Sequence, residues 1–282
     1  VEEIWINLPS GEKLFSREWL PESKPKGAIC IIHGLSDHSG RFTFLAEALS
    51  QQGFIFLAPD LRGNGKSPGS RGHFDSIEQV MNDISSVIDF IRKEHPDLPV
   101  FLYGQSMGGN LAISYALSFP DKINGAVSSS PWLRLAKPPA GIVRMLASAL
   151  RPLFPALLLP NGIKSSDLCH DEIISQAYDN DPLIHWKVSL NTFFIIQVLG
   201  ERAVENAGQL QVPLLLMHGN ADKITSFNAS VQFAEKAGDN CTFIRWEGQY
   251  HELHNEFVRN EVIGKVIFWL NEQLKNPVQK TE

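Results

Sequence analysis

Gly104-Gln105-Ser106-Met107-Gly108 constrains the fold more than any other stretch, because it joins the apolar run Val100 to Tyr103 directly to the helical pattern of Asn110 to Ser118. A strand that turns at once into a helix leaves no room for side chains on either flank of the turn, so glycine stands on both sides of the serine. The strain of that turn lifts the Ser106 hydroxyl clear of the backbone. Ser106 is therefore a candidate nucleophile, and hydrolysis or acyl transfer is the expected reaction class.

The five-residue pattern is common by itself, and Gly65-Lys66-Ser67-Pro68-Gly69 also fits it. That copy follows the polar turn Arg62-Gly63-Asn64 and leads into Pro68-Gly69-Ser70-Arg71-Gly72, with no helix after it, so context favours Ser106 over Ser67. Gly65-Lys66-Ser67 also matches the tail of a phosphate-binding loop, whose first glycine would fall where Asp60 stands. The nucleotide reading fails there.

Around the elbow the chain alternates strand and helix. Glu3 to Leu8 and Lys13 to Trp19 flank Pro9-Ser10-Gly11-Glu12 and read as an antiparallel hairpin. Ala28 to Ile32 is continuously apolar, as a strand covered on both faces should be. A helix over Arg41 to Gln52, a strand over Phe54 to Ala58 and a helix over Ser76 to Lys93, with Ser76 and Gln79 as a capping box, follow. After the strand Ile123 to Ser128 the alternation pauses. Pro131 to Trp186 is rich in proline and leucine and holds no convincing strand. The rhythm resumes with strand Leu214 to Met217, helix Phe227 to Ala237, strand Thr242 to Trp246 and a terminal helix carrying Phe257, Val262, Ile263, Val266, Ile267 and Leu270. This predicts an α/β fold with a mostly parallel central sheet, helices on both faces and a helical cap insertion: core residues 1–130 and 187–282, cap residues 131–186. An insertion at that point sits above the carboxyl ends of the strands, where open α/β sheets bind ligands.

With 282 residues, 43% of them apolar, the chain can bury a large core, and a net charge of -6 with scattered Lys and Arg excludes a nucleic-acid stripe. Cys30, Cys169 and Cys241 have no C-x-x-C spacing; Cys30 and Cys241 read as small buried hydrophobes, which suits a reducing cytoplasm. Val1-Glu2-Glu3-Ile4 offers neither a basic segment nor an apolar h-region, so no signal peptide is expected. The most apolar stretch, Ile142 to Leu159, is interrupted by Arg144, Arg151, Pro152 and Pro155 and does not qualify as a membrane span. It is expected instead to border an acyl channel and to touch membrane surfaces, with the two arginines snorkelling toward headgroups.

A serine hydroxyl needs a base, and the base needs a carboxylate to orient it; in the α/β-hydrolase arrangement they follow in the order Ser, Asp or Glu, His. The turn His218-Gly219-Asn220-Ala221-Asp222 supplies Asp222, and the loop Glu247-Gly248-Gln249-Tyr250-His251 supplies His251, each just past a strand end. His254 is the alternative base, expected on the first turn of the terminal helix. The two oxyanion donors are the backbone N–H of Met107, at the positive end of the elbow helix, and that of Leu35 in the turn His33-Gly34-Leu35. His33 reads as a structural hydrogen-bonder. His251-Glu252-Leu253-His254 has its histidines three apart rather than four, so it is not a zinc-protease helix, and no metal or cofactor is expected.

His33-Gly34-Leu35-Ser36-Asp37-His38-Ser39-Gly40-Arg41, Gly104-Gln105-Ser106-Met107-Gly108-Gly109, Asp181-Pro182-Leu183 and Tyr250-His251-Glu252-Leu253-His254 resemble the monoacylglycerol lipases, in the family that also holds bacterial lysophospholipases. The resemblance spans nearly the whole chain. It implies hydrolysis of a single fatty acyl ester of glycerol, with Ser106, Asp222 and His251 as the triad and Leu35 and Met107 as oxyanion donors, and it puts Arg41 and Tyr178 near the glycerol-binding end. Gln105 departs from the His that members commonly carry. A lysophospholipase or broad carboxylesterase with the same triad is the alternative enzyme; a peptidase lacks an acidic cluster in the cap for a free amino group. A catalytically idle binding protein is the alternative of another class.

Overall fold

The computed structural model describes residues 1–275, and the apolar runs of the sequence become its strands. In chain order the elements are β1 (Glu2–Asn7), β2 (Lys13–Trp19), β3 (Gly27–Ile32), α1 (Thr43–Gln51), β4 (Phe54–Pro59), α2 (Ile77–Glu94), β5 (Val100–Gln105), α3 (Met107–Ser118), β6 (Gly125–Ser129), α4 (Gly141–Leu150), β7 (Leu158–Pro160), α5 (Glu172–Asn180), β8 (Lys187–Ser189), α6 (Leu190–Glu205), β9 (Leu214–Gly219), α7 (Phe227–Ala237), β10 (Cys241–Trp246) and α8 (Arg259–Lys275). Eight strands form one sheet in the order β1-β2-β4-β3-β5-β6-β9-β10. The pairs β1/β2 and β2/β4 are antiparallel and the remaining ones parallel.

The continuous apolar runs have a simple cause. Ala28, Cys30 and Ile32 of β3 face a core shared with α2, α3, α6 and α7, while Ile29 and Ile31 face a second core shared with α1 and α8. With both faces covered, no strand in the middle of the sheet can alternate with polar residues. The parallel strands also direct the loops after β3, β5, β6, β9 and β10 to a single edge of the sheet, which is where the candidate site residues were read.

The structure corrects the sequence reading at several points. The insertion does contain a strand: β7 pairs antiparallel with β8 over three residues, Leu158↔Ser189 to Pro160↔Lys187. So short a ladder, ending on a proline, gives no period-2 signal. Helix α6 went unread because Thr192-Phe193-Phe194-Ile195-Ile196 is strand-like in composition, whereas packing against α3 decides its state. Phe257 is not on the terminal helix but before it and is exposed. His254 lies in a 3₁₀ turn, Leu253–Asn255, and not in α8. Cys241 is only partly buried, because β10 is the sheet edge. Ser76 caps α2 by accepting from Gln79 N, while the Gln79 side chain reaches Asp75 N instead of closing a capping box.

Two glycines on helices make opposite predictions. A Cβ at Gly200 in α6 would stand 2.2 Å from the Leu133 carbonyl oxygen, whereas one at Gly264 in α8 would meet nothing within 4 Å. Gly200→Ala should destabilise by about 1–3 kcal/mol through overpacking, and Gly264→Ala should stabilise by roughly 0.5–1 kcal/mol. Urea midpoints of the two variants test both signs.

Candidate active site

Ser106 occupies the N-cap position of α3 with φ 57° and ψ -117°. A Cβ at Gly104 would lie 2.1 Å from the Gly108 carbonyl oxygen, and one at Gly108 would lie 1.9 Å from that of Ile32, so both flanking glycines are sterically required. The backbone is fixed on either side: Ser106 N donates to Ser129 O at 3.0 Å, and Ser106 O accepts from Asn110 N and Trp132 N. Besides Ser106, the non-glycine residues with positive φ are Ser36 and Ser130, among the described residues, and they follow β3 and β6. Strain of this kind costs of order 1–3 kcal/mol per residue and gathers where geometry serves a site.

Asp222 follows β9 with its side chain fully buried. Its Oδ2 accepts from His251 Nδ1 at 2.7 Å, from Thr225 Oγ1 at 2.8 Å and from His218 Nε2 at 3.1 Å, while Oδ1 accepts from the amides of Ile224 at 2.7 Å and Thr225 at 3.0 Å. Burial alone would raise this carboxyl, but the charge of His251 and the hydrogen bonds from both histidines outweigh it and hold Asp222 well below the carboxylate range. Burial would likewise lower His251; the Asp222 charge and hydrogen bond overcome it and raise the imidazole above its ordinary value. With Nδ1 donating to Asp222, Nε2 is the nitrogen that can accept a proton.

The alternative histidines are placed differently. His254 stacks on Phe42 with ring centroids 4.7 Å apart, and burial pushes its pKa down to about 4. His33 is held by Gly34 O at Nδ1 and by Leu61 N at Nε2, as a structural hydrogen-bonder should be. Ser67 is buried in the loop after β4, where its hydroxyl donates to Asp60 O at 2.6 Å and accepts from Phe15 N at 2.9 Å.

A cavity of about 600 Å³ opens above the elbow. Leu35 and Ser106 line it from the loops at the strand ends, and Val143, Ala147 and Leu159 line it from the insertion after β6. Met107 is fully buried as the first residue of α3, at the helix end where its amide has no helical partner. Arg41 and Tyr178 do not line this cavity. Arg41 is partly buried, donates to both Glu252 carboxylate oxygens at 2.8 and 2.7 Å, lies 3.2 Å from Asp37 Oδ2, and sits over the Tyr178 ring at 4.6 Å. The sequence reading assigned nothing to His218, Thr225, Asp37, Glu252 or Glu256. His218 sits four residues from Asp222 in the same quoted turn, so its spacing was a signal; the carboxylates could be recognised only once their loops had been folded together.

A mostly parallel sheet with a strained serine after β5, a buried carboxylate after β9 and a histidine bonded to it after β10 defines an α/β-hydrolase of the serine type. The chain belongs to the serine aminopeptidase S33 family, whose model matches residues 23–257, and it is a serine hydrolase acting on esters. It is 34% identical over 269 residues to the human monoglyceride lipase, covering 93% of this chain and 88% of that protein. It is 35% identical over 268 residues to an uncharacterized abhydrolase domain-containing protein of Dictyostelium discoideum, of which it spans 28%. Among solved structures it resembles the monoacylglycerol lipase of Paleococcus ferrophilus at 34% identity and a TM-score of 0.84, over 92% of this chain and 99% of that one.

With His251 as the candidate base, the raised imidazole must be neutral to accept a proton, so activity should appear as pH rises through an inflection above about 6.5, the ordinary imidazole value. Asp222→Asn removes the group that raises it. Its kcat should fall on the order of 10⁴-fold, and the residual inflection should move to lower pH, because burial is then less opposed. A pH–rate profile of both proteins checks the direction.

Proposed function

We propose that this chain hydrolyses monoacylglycerols to glycerol and a fatty acid through an acyl-enzyme on Ser106. The observation that carries the reading is the 2.7 Å hydrogen bond from His251 Nδ1 to Asp222 Oδ2, with Ser106 lining the cavity at the carboxyl edge of the same sheet. His251 Nε2 takes the Ser106 proton as Oγ attacks the ester carbonyl carbon, and the amides of Leu35 and Met107 receive the oxyanion. The ester C–O bond breaks, with His251 returning the proton to the departing glycerol oxygen. Water then attacks the acyl-enzyme with His251 as base, and the fatty acid leaves as Ser106 is reprotonated. A cavity of this size lies in the range that encloses one ligand of roughly drug size, which suits one acyl chain with a small alcohol and not three chains. The relatives named monoglyceride lipases point the same way.

In this reading residues 131–186 act as a lid. Ile142, Met145, Leu146, Leu153 and Phe154 are all more than half exposed, and α4 has no buried residue, which supports contact of the lid with a lipid surface. No helix among the described residues is long and apolar enough to cross a membrane. Arg41 and Tyr178 do not line the cavity, and the guanidinium is held by Glu252 and Asp37, so they are not proposed as direct contacts for the glycerol hydroxyls.

One observation favours a second reading. Lys137, Arg144, Lys164 and Lys223 line the cavity against the single carboxylate of Asp167. That charge suits an anionic headgroup, as in a lysophospholipid, and the phospholipase YtpA of Bacillus subtilis is 32% identical over 242 residues. Substrates with one fixed acyl chain decide between the two: efficient turnover of monoacylglycerol over lysophosphatidylcholine and triacylglycerol supports the first, and the reverse order overturns it.

Ser106→Ala should lower kcat on the order of a million-fold and abolish fluorophosphonate labelling. Ser67→Ala should leave turnover largely intact while costing about 1–3 kcal/mol of stability, since Phe15 N–H loses its partner. Loss of labelling in Ser67→Ala but not in Ser106→Ala would reverse the assignment.

A further inference from the structure

The backbone amides of the two residues that neighbour His251 are each tied down by a partner outside the loop's own turn. Tyr250 N donates to Glu256 Oε1 at 2.9 Å, and Glu252 N donates to Leu168 O at 2.7 Å. Leu168 belongs to the cap segment, and so does His170, two residues on. His170 N donates to Glu256 Oε2 at 3.2 Å, and its Nδ1 lies 3.0 Å from both Glu256 oxygens. The His170 ring also stacks on Tyr250 with centroids 3.8 Å apart. On the other side of the strap, Asp167 lies 3.6 Å from Lys223, the residue after Asp222, and Lys223 Nζ sits over the Tyr250 ring at 4.2 Å. Residues 167–170 thus touch the loop that carries the candidate acid and the loop that carries the candidate base.

We propose that Glu256 is a positioning residue which, with His170, ties this strap to the loop of His251 and so keeps its imidazole on Asp222. The proposal rests on the reading of His251 as the base. Glu256 has no exposed surface, and a buried carboxylate is retained only where its donors satisfy it. Its donors come from both sides of the junction: the amide next to His251, and the amide and imidazole of the cap residue. Replacing one carboxylate oxygen by an amide NH2 sets a donor against either Tyr250 N–H or the His170 amide, so one side of the junction loses its acceptor and the tie between strap and loop is weakened. The 2.7 Å Asp222–His251 bond is set by where the backbone of residue 251 sits, and a displacement of about 1 Å in a reacting group can cost on the order of 10²-fold in rate. Glu256 does not touch Ser106 or line the cavity, so it acts through the residues it holds, the loop of His251 and the strap.

The test compares Glu256→Gln, Glu256→Asp, His170→Ala and the double variant Glu256→Gln/His170→Ala. Glu256→Gln should lower kcat on the order of tenfold with KM nearly unchanged, and should slow fluorophosphonate labelling by the same factor, because labelling has no glycerol or long acyl chain to bind. The downfield proton resonance of the His251–Asp222 bond should broaden or vanish. Glu256→Asp should recover part of the rate, and His170→Ala should show a smaller loss in the same direction. The double variant should be no worse than Glu256→Gln alone, since residues that act as one unit do not add. If Glu256→Gln fails to fold, the half-exposed His170 variant decides the matter by the same labelling rate and resonance. A lowered melting temperature with unchanged kcat, labelling and resonance overturns the proposal and leaves Glu256 a structural residue. An active His251→Ala would instead overturn the base assignment beneath it, which separates the two failures.

Discussion

Asp222 carries a charge with no exposed surface, and a buried ion without partners is penalised by several kcal/mol. Its donors therefore have to be brought to it. Two come from its own turn, one from Thr225's hydroxyl, one from the end of β9 at His218 and one from the loop after β10 at His251. The last of these forces two strand-end loops together, and Gly219 allows it: a Cβ there would stand 2.2 Å from Gln249 O and 2.4 Å from Tyr250 O. His218 in turn is held by Ser230 at 2.8 Å, so the second imidazole is anchored in α7. The same bonds that make the carboxylate tolerable fix the tautomer of His251. Stabilising the charge and orienting the candidate base are one arrangement.

Strain is distributed around that arrangement with a consistent pattern. Ser106 and Ser130 adopt positive φ immediately beyond β5 and β6, and Ser36 does so in the loop that follows β3. Each is bonded in a way that spreads the cost: Asn161 Nδ2 donates to Ser36 Oγ at 3.0 Å, Ser106 N to Ser129 O at 3.0 Å, and Ser130 N to Met217 O at 2.8 Å. The bond at Ser130 ties β6 to β9, the strand that ends at the carboxylate. The bond at Ser36 ties the proposed oxyanion loop to the cap segment. The strained turns are therefore not isolated defects but the points at which neighbouring loops are cross-linked.

The sequence made the strand-helix alternation legible because parallel strands buried on both faces leave uninterrupted apolar runs, and Ala28 to Ile32 is such a run. It also made the elbow legible, because the Gly104 and Gly108 positions admit no Cβ. What it hid were elements whose state is set by contact. Helix α6 is strand-like in composition and helical by packing, and the β7/β8 ladder is three residues long. It hid the partners of the triad candidates for a related reason. Glu256, His170 and Leu168 are up to 88 residues apart in the chain by number, and no spacing rule connects a cap residue to a loop near the carboxyl end. Arg41 is an intermediate case. Its neighbourhood to Tyr178 is real at 4.6 Å, but its guanidinium is committed to Glu252 and Asp37, which composition and spacing do not reveal.

The cap segment divides by how it is held. From Asn161 to Asp181 it is bonded to the core at Ser36, at His38, at Glu252 and at Glu256. Helix α4 has no buried residue, and a helix of ten residues is only marginal in water by itself. Val143 and Ala147 of that helix line the cavity, while Ile142, Met145 and Leu146 face outward. An apolar surface on both sides of one short helix gains most when acyl chains lie against it, and on the proposed lid role that is the state in which substrate enters. Access would then be governed at α4, and the geometry of the chemistry at the bonded strap. The opening can loosen without disturbing the charge at Asp222, because no bond to Asp222, His251 or the strap originates in α4 among the described residues.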